Sequence, residues 1–216
     1  MKSMYASVVW LAFVIAAAVP AAAAGDDGLY EALPPPDSAF LRILNAGPDS
    51  LGFEMVIAGD TIAIGPQSVT AYVILKAGNV ELSPPGAKQQ VTIEAGKYYT
   101  YAVGSGLGKP ALFHDDNLQD PAKGRIYFYN LTGLGGVDLY VPAAKADALK
   151  DIAAGANKSV EIRAPLDVAM IARADAGDLV SFDTVKVKRR GGTTLVLSGD
   201  EGNYAGFTVT NSVAKN

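Results

Sequence analysis

Short stretches of alternating apolar and polar residues run along most of this chain. The clearest of them places Phe53, Met55 and Ile57 on one face of a strand and Glu54 on the other. Turn residues such as Gly65-Pro66 separate these stretches at short intervals. Many short strands with frequent turns predict an all-β protein built as antiparallel β-sandwiches.

The pattern predicts seven strands in each half of the chain. In the first half they cover residues 39–45, 52–57, 61–64, 70–75, 79–82, 90–93 and 98–103. In the second half they cover residues 125–130, 137–141, 160–163, 168–172, 179–188, 193–197 and 207–210. Between the second and third of these strands, Leu149 and Ile152 are three residues apart, which predicts a short helical insertion over residues 143–154.

The two halves of the chain open alike. One begins at Arg42 and reaches Asn45, and the other begins at Arg125 and reaches Asn130, with the two asparagines 85 positions apart. Each half later contains a strand–glycine–strand segment, around Gly96 and around Gly191. We therefore predict a duplicated β unit, which is more typical of binding or scaffold proteins than of enzymes.

The N-terminal sequence predicts that the protein is exported. Residues 1–24 have the form of a cleaved signal peptide, with Lys2, an apolar run over residues 8–19 and alanines at 22–24. The apolar run is shorter than the roughly 20 residues that a membrane span needs. We expect a periplasmic protein whose extended Pro-rich arm, residues 25–37, precedes the first sandwich.

The remaining boundaries follow from a polar, glycine-containing stretch in mid-chain. We predict an N-terminal β-sandwich at residues 38–113, a linker at residues 114–123 and a C-terminal β-sandwich at residues 124–216. We expect each half to fold by itself. The chain has no cysteine, so its stability must come from packed cores rather than disulfides. Its 22 acidic residues outnumber its 18 basic ones, which gives no electrostatic footprint for nucleic acid.

Candidate chemistry is sparse. His114, the only histidine, precedes Asp115 and Asp116, which could orient it as a base or share a cation with it. A histidine in a polar linker is the alternative, and no nucleophile motif accompanies it. The glycine-rich segment at 104–109 lacks P-loop spacing. No catalytic, cofactor-binding or metal-binding residue is therefore predicted.

Aromatic, apolar and basic residues are the candidates for binding. Tyr99 and Tyr101 share one face of a strand and are predicted either to meet a partner or to pack in the core. Leu29 and Tyr30, the only large apolar pair of the arm, could dock on the first sandwich or on a partner. The basic run at 186–190 predicts a solvated strand face, with an acidic polysaccharide as the alternative ligand.

Three segments carry a resemblance to a known family: Leu29-Tyr30, the stretch from Ser38 to Ala46 that reads SAFLRILNA, and Gly96-Lys97-Tyr98-Tyr99-Thr100. In order and spacing the chain resembles the AlgF family of periplasmic accessory proteins of alginate O-acetylation. The resemblance continues more loosely through residues 123–131 and 185–197.

The resemblance implies two tandem β-sandwich domains and a non-catalytic accessory role. The partners it implies are periplasmic alginate acetyltransferases and a membrane O-acyltransferase, with the polyuronate as a further candidate. It leaves open whether the protein bridges these enzymes or relays acetyl groups. A carbohydrate-binding protein without an acetylation role is the alternative, and an enzyme using a serine or His114 is a second one.

Overall fold

The computed structural model describes residues 33–47, 52–84, 88–104, 108–200 and 202–213. From Pro34 onward the chain forms one compact unit. Leu29, Tyr30 and the predicted signal peptide lie outside the described residues. Within those residues, no helix has the length and apolar character that crossing a membrane requires.

The architecture is two β-sandwiches, which confirms the predicted all-β fold. The first contains Ser38–Asn45 (β1), Phe53–Ile57 (β2), Asp60–Ile64 (β3), Ser68–Val69 (β4), Val73–Lys76 (β5), Gly78–Ser83 (β6), Gln89–Ile93 (β7), Tyr98–Val103 (β8) and Ala111–Asp115 (β9). The second contains Lys123–Leu131 (β10), Val137–Val141 (β11), Ala146–Ile152 (β12), Ala156–Arg163 (β13), Leu166–Ala174 (β14), Gly177–Val187 (β15), Gly192–Asp200 (β16) and Asn203–Thr210 (β17).

Each sandwich consists of two facing sheets, and the strand order of each sheet in the first sandwich is repeated in the second. In the first, one sheet has the order β4-β1-β8-β9, with β5 also beside β1, and the other has the order β3-β2-β6-β7. In the second, the sheets have the orders β13-β10-β16-β17 and β12-β11-β14-β15. Pairing is antiparallel except for β1 with β8 and β10 with β16, which are parallel in both halves. The matching order and matching parallel pair confirm the predicted duplication.

The two asparagines that suggested the repeat have the same role in both halves. Asn45, at the end of β1, donates to the carbonyl of Gly65, just beyond β3. Asn130, near the end of β10, donates to the carbonyls of Ile152 and Ala153 at the end of β12. Each buried amide therefore ties the first strand of its sandwich to the facing sheet.

Each sandwich has its own apolar core. Residues such as Leu41, Met55 and Tyr101 fill the first, and Phe128, Leu139 and Val185 are among those that fill the second. Because alternate residues of a strand point to opposite faces, β1 and β10 bury one face in these cores and have a second face to bury elsewhere. Both strands are buried along almost their whole length.

The second faces of β1 and β10 meet each other. They form an apolar cluster between the sandwiches, which we call the inter-sandwich layer: Leu44, Ala46, Ala102, Phe113, Tyr127, Tyr129, Leu131 and Val196. The C-terminal segment adds a further link, since the backbone N–H of Tyr72 donates to the carbonyl of Ser212. The two sandwiches thus share buried surface in addition to their separate cores.

Two local predictions differ from the structure. The segment predicted as a helical insertion at 143–154 is instead a single 3₁₀ turn, Pro142–Ala144, followed by strand β12. A bulge in β12 accounts for the helix-like spacing: Val137 pairs with Ile152 and Leu139 with Leu149, so one extra residue lies between the two apolar side chains. Both are therefore buried on the same face, although three residues separate them.

The predicted linker at 114–123 begins inside a strand. His114 and Asp115 are the last two residues of β9, which was not predicted, and Lys123 is the first of β10. The connection without regular structure is therefore residues 116–122. Whether each half folds by itself stays a prediction.

Candidate functional site at the junction of the two sandwiches

A buried polar network lies at the centre of the junction, beside the inter-sandwich layer. Its charged members are Arg42 on β1 and Asp115 on β9, whose side chains are fully buried and lie 3.6 Å apart between Nη2 and Oδ2. Arg42 is unusual in its strand because the residues on either side of it are apolar. A buried guanidinium needs a compensating charge and acceptors, and the second sandwich helps to supply them.

Arg42 reaches across the junction. Its Nε donates to Oγ1 of Thr100 at 2.8 Å, and its Nη2 donates to the hydroxyl of Tyr129, on β10 of the second sandwich, at 3.0 Å. The guanidinium carbon lies 4.5 Å from the ring centroid of Tyr72 and 5.6 Å from that of Tyr127, within cation–π range. Nη1 of Arg42 has no hydrogen-bond partner among the described residues.

Asp115 accepts hydrogen bonds from both sandwiches. Tyr72 and Thr100 donate to its Oδ2 at 2.7 and 2.5 Å. Tyr129 donates to its Oδ1, as does Asn157 on β13 at 3.2 Å. Four donors and a neighbouring cation therefore surround one carboxylate, which lets this charge remain buried.

The environment of this network holds its tyrosines in the neutral form. Burial raises the pKa of Tyr72 and of Tyr129 well above the usual value for a phenol, and Asp115 adds to the shift while Arg42 opposes it. Burial likewise raises the pKa of Tyr127 to about 12. Neutral hydroxyls can donate to Asp115, whereas phenolates could not.

A cleft of about 530 Å³ opens next to this network. The first sandwich contributes Tyr72 and Tyr98 to its walls. The second contributes Tyr127, the turn from Arg190 to Gly192 between β15 and β16, and the segment from Asn211 to Val213. Gly192 permits this arrangement, since a Cβ there would lie 2.7 Å from Nδ2 of Asn211 and 2.9 Å from the Tyr127 ring.

The connecting segment 116–122 forms another wall of the cleft, and a hydrogen bond to β13 and an ion pair to β10 hold it on the second sandwich. The backbone N–H of Gln119 donates to Oε1 of Glu161 at 2.6 Å, and Arg125 donates to the same oxygen at 2.7 Å. These two donors, the backbone N–H first, lower the pKa of Glu161. Arg125 also lies 3.5 Å from Asp116. The connecting segment is thus tied to the second sandwich at Asp116 and at Gln119.

The histidine–aspartate pair considered from the sequence is separated in the structure. His114 and Asp115 are neighbours on β9, so their side chains point to opposite faces. His114 is exposed, contacts the ring of Tyr99 edge-on at 5.6 Å, and lines a smaller cavity of about 300 Å³ with Lys97 and Asp116. Among the described residues, no group of three or more His, Cys, Asp and Glu side chains could hold a metal ion.

The tyrosines predicted as binding residues lie in the core of the first sandwich. Tyr101 is fully buried and donates to Gln89, and Tyr99 is 8% exposed and accepts from the backbone N–H of Glu94. The core-packing alternative therefore describes their position, and a partner role for them stays a prediction. Arg42 was noted only as the start of the first repeat, and Tyr72 was not predicted; the one signal for this network was a charged residue between apolar neighbours in β1.

The fold and the junction define a tandem β-sandwich protein in which the Arg42–Asp115 network at the junction is closed to solvent. The family profile described as "Alginate O-acetyl transferase AlgF" matches residues 12–194, and the chain belongs to the AlgF family. One relative is the alginate biosynthesis protein AlgF of Pseudomonas aeruginosa, 26% identical over 193 residues, which are 86% of this chain and 84% of that protein.

A solved structure, the C-terminal domain of AlgF from P. aeruginosa, is also similar to part of the chain. It shares 22% identity and covers 41% of this chain and 98% of its own, with a TM-score of 0.37.

Proposed function

We propose that this protein is a non-catalytic periplasmic accessory protein for the O-acetylation of alginate, acting as an adaptor between acetylation enzymes. Membership in the AlgF family supports a role in alginate biosynthesis, because the family description names alginate O-acetylation and the relative is named an alginate biosynthesis protein. The partners are the periplasmic acetyltransferases and the membrane O-acyltransferase of that pathway.

The observation that carries the adaptor role is the closed state of the Arg42–Asp115 network. Both side chains are 0% exposed, and their polar groups are paired mainly with one another and with Thr100, Tyr72 and Tyr129. Groups arranged in this way stabilise a junction and are not accessible to a substrate. They hold two sandwiches in a fixed relation, which suits a protein that presents two surfaces to two partners.

The geometry of β9 also supports a non-catalytic role. A general base needs an orienting group within hydrogen-bond reach, and the carboxylate next to His114 in sequence points the other way and pairs with Arg42. The family description nevertheless names a transferase, so the protein's own turnover has to be measured. We expect little acetate release when the purified protein alone is given an activated acetyl ester.

A deletion strain tests the pathway. We expect the host to keep secreting a uronate polymer that lacks O-acetyl groups, as read from the acetyl methyl resonance in proton spectra, and the wild-type gene to restore them. Normal acetylation in the deletion strain contradicts the assignment. Loss of the polymer itself indicates a role in synthesis or export. Rapid ester turnover by the protein alone supports the enzymatic alternative.

A further inference from the structure

The cleft at the sandwich junction has the composition of a recognition site for one negative charge. Among the residues that line it, Arg190 is the only one with a formal charge. The Arg190 side chain is exposed, and no hydrogen bond or ion pair engages it within the described part of the chain. Its backbone is fixed, with φ of 56° and an N–H that donates to the carbonyl of Lys123. An exposed cation without a partner is complementary to a carboxylate.

The tyrosines of the cleft do not offer the open ring faces that stacking on a sugar requires. Tyr72 and Tyr127 are only 4% and 8% exposed, and Arg42 lies over both rings. Tyr98 is stacked on Phe40 at 4.2 Å and has a second, edge-on ring contact with Tyr72 at 5.1 Å. The hydroxyls of Tyr72 and Tyr127 are also engaged, by Asp115 and by the carbonyl of Asp116.

Apolar surface is present at the rim of the same cleft. Val213 is 45% exposed and is one of the few exposed large hydrophobic residues of the described chain. Leu118, half-buried on the connecting segment, lies in the same lining, as do Gln119 and Asn211. Amides can pair with a peptide backbone, and Val213 and Leu118 can bury an apolar side chain. A polyuronate has no such side chain.

We propose that the cleft between the sandwiches is the docking site for an extended acidic segment of a partner protein. A carboxylate of the segment pairs with Arg190, and a neighbouring apolar side chain packs on Val213 and Leu118. This inference rests on the proposed adaptor function and adds to it the surface and the chemistry of the contact.

The test uses the mature protein and three kinds of probe. The probes are a purified periplasmic alginate acetyltransferase of the same host, overlapping short peptides that cover the acetyltransferase sequence, and an oligouronate. Binding is measured by calorimetry for wild type, Arg190→Glu and Val213→Ser. The matched control is Lys188→Glu, which makes the same charge change on an exposed side chain of the same turn that is absent from the cleft lining.

We expect an acidic peptide to bind wild type, Arg190→Glu to weaken it about tenfold or more, and Lys188→Glu to stay within about twofold. Val213→Ser should weaken binding as well. Replacing the acidic residue of the peptide by lysine should restore affinity for Arg190→Glu. Denaturation midpoints show whether each variant is folded.

The other outcomes separate the cleft from the adaptor function. If the acetyltransferase binds wild type and Arg190→Glu equally, the cleft is not the docking site and the adaptor function stands. If wild type binds neither the acetyltransferase nor its peptides, the docking site and the adaptor function are both contradicted. If the oligouronate binds, displaces the peptide and depends on Arg190, the cleft binds the polysaccharide, and the proposal of a protein segment is contradicted.

Discussion

Arg42 on β1 donates a hydrogen bond of 3.0 Å to the hydroxyl of Tyr129 on β10, and both side chains are fully buried. This bond joins the opening strands of two duplicated units. By the spacing of the two asparagines, Arg42 corresponds to Tyr127 in the second unit, and the two side chains meet at the junction. The units therefore differ where they contact each other, which allows one to supply the cation and the other an aromatic face.

Removing the charge of Asp115 should destabilise the protein strongly. Asp115→Asn leaves the Arg42 guanidinium buried without its counter-ion, for which a loss of about 3–5 kcal/mol in the free energy of unfolding is expected. Urea denaturation measures it. The control is Glu81→Gln, which removes the exposed pair with Lys88 and should change stability by less than about 1 kcal/mol. Equal effects of the two substitutions would contradict the importance of the network.

The stability of the folded protein should fall above pH 10. The folded-state pKa values of Tyr72, Tyr127 and Tyr129 are raised, so the unfolded chain releases these protons first. Their contribution is complete below the unfolded pKa of about 10 and is lost as pH rises, by up to about 1.4 kcal/mol per pH unit for each tyrosine. Urea denaturation at a series of alkaline pH values measures the slope.

The variant Tyr129→Phe is the comparison for this pH dependence. It should be less stable at neutral pH, because it loses the hydrogen bond to Asp115, but should lose stability less steeply above pH 10. Parallel slopes for the variant and wild type would show that Tyr129 does not carry the effect.

The duplication and the sandwich fold could be predicted because most of the strands are marked locally by alternation and by flanking turn residues. The junction could not, because Arg42 and Asp115 meet only once β1 and β9 lie in the same sheet. Strand β12 was missed for a local reason: its bulge spaces Leu149 and Ile152 like residues of a helix. Strand β9 was missed because its end, at His114 and Asp115, reads as a polar linker.

His114 is expected to be dispensable. Its side chain is exposed and contacts Tyr99 edge-on, so His114→Ala should leave stability within about 1 kcal/mol of wild type and polymer acetylation within a few-fold. Complementation of a deletion strain, followed by proton spectra of the polymer, measures acetylation. A folded His114→Ala protein that fails to restore acetylation would favour the enzymatic alternative.

The signal peptide is expected to be removed after Ala24, because small residues occupy the positions that the cleavage site requires. Mass spectrometry of the protein from a periplasmic extract should show a chain that begins at Gly25. A chain from that extract with Met1 still present would contradict both export by this route and the proposed compartment.

Each sandwich should fold by itself and be less stable than the full chain. The cores around Leu41 and Phe128 are separate, so fragments 34–122 and 123–213 should each show dispersed amide resonances typical of strands. Separation nonetheless exposes the inter-sandwich layer and takes Tyr129 and Asn157 away from Asp115. The first fragment should lose more stability than the second, because it keeps the Arg42–Asp115 pair without these two donors.

A lower urea midpoint for the fragment 34–122 than for the full chain is the expected result. An unchanged midpoint would show that the junction adds nothing to stability, and the absence of dispersed resonances would show that the sandwiches are not independent domains.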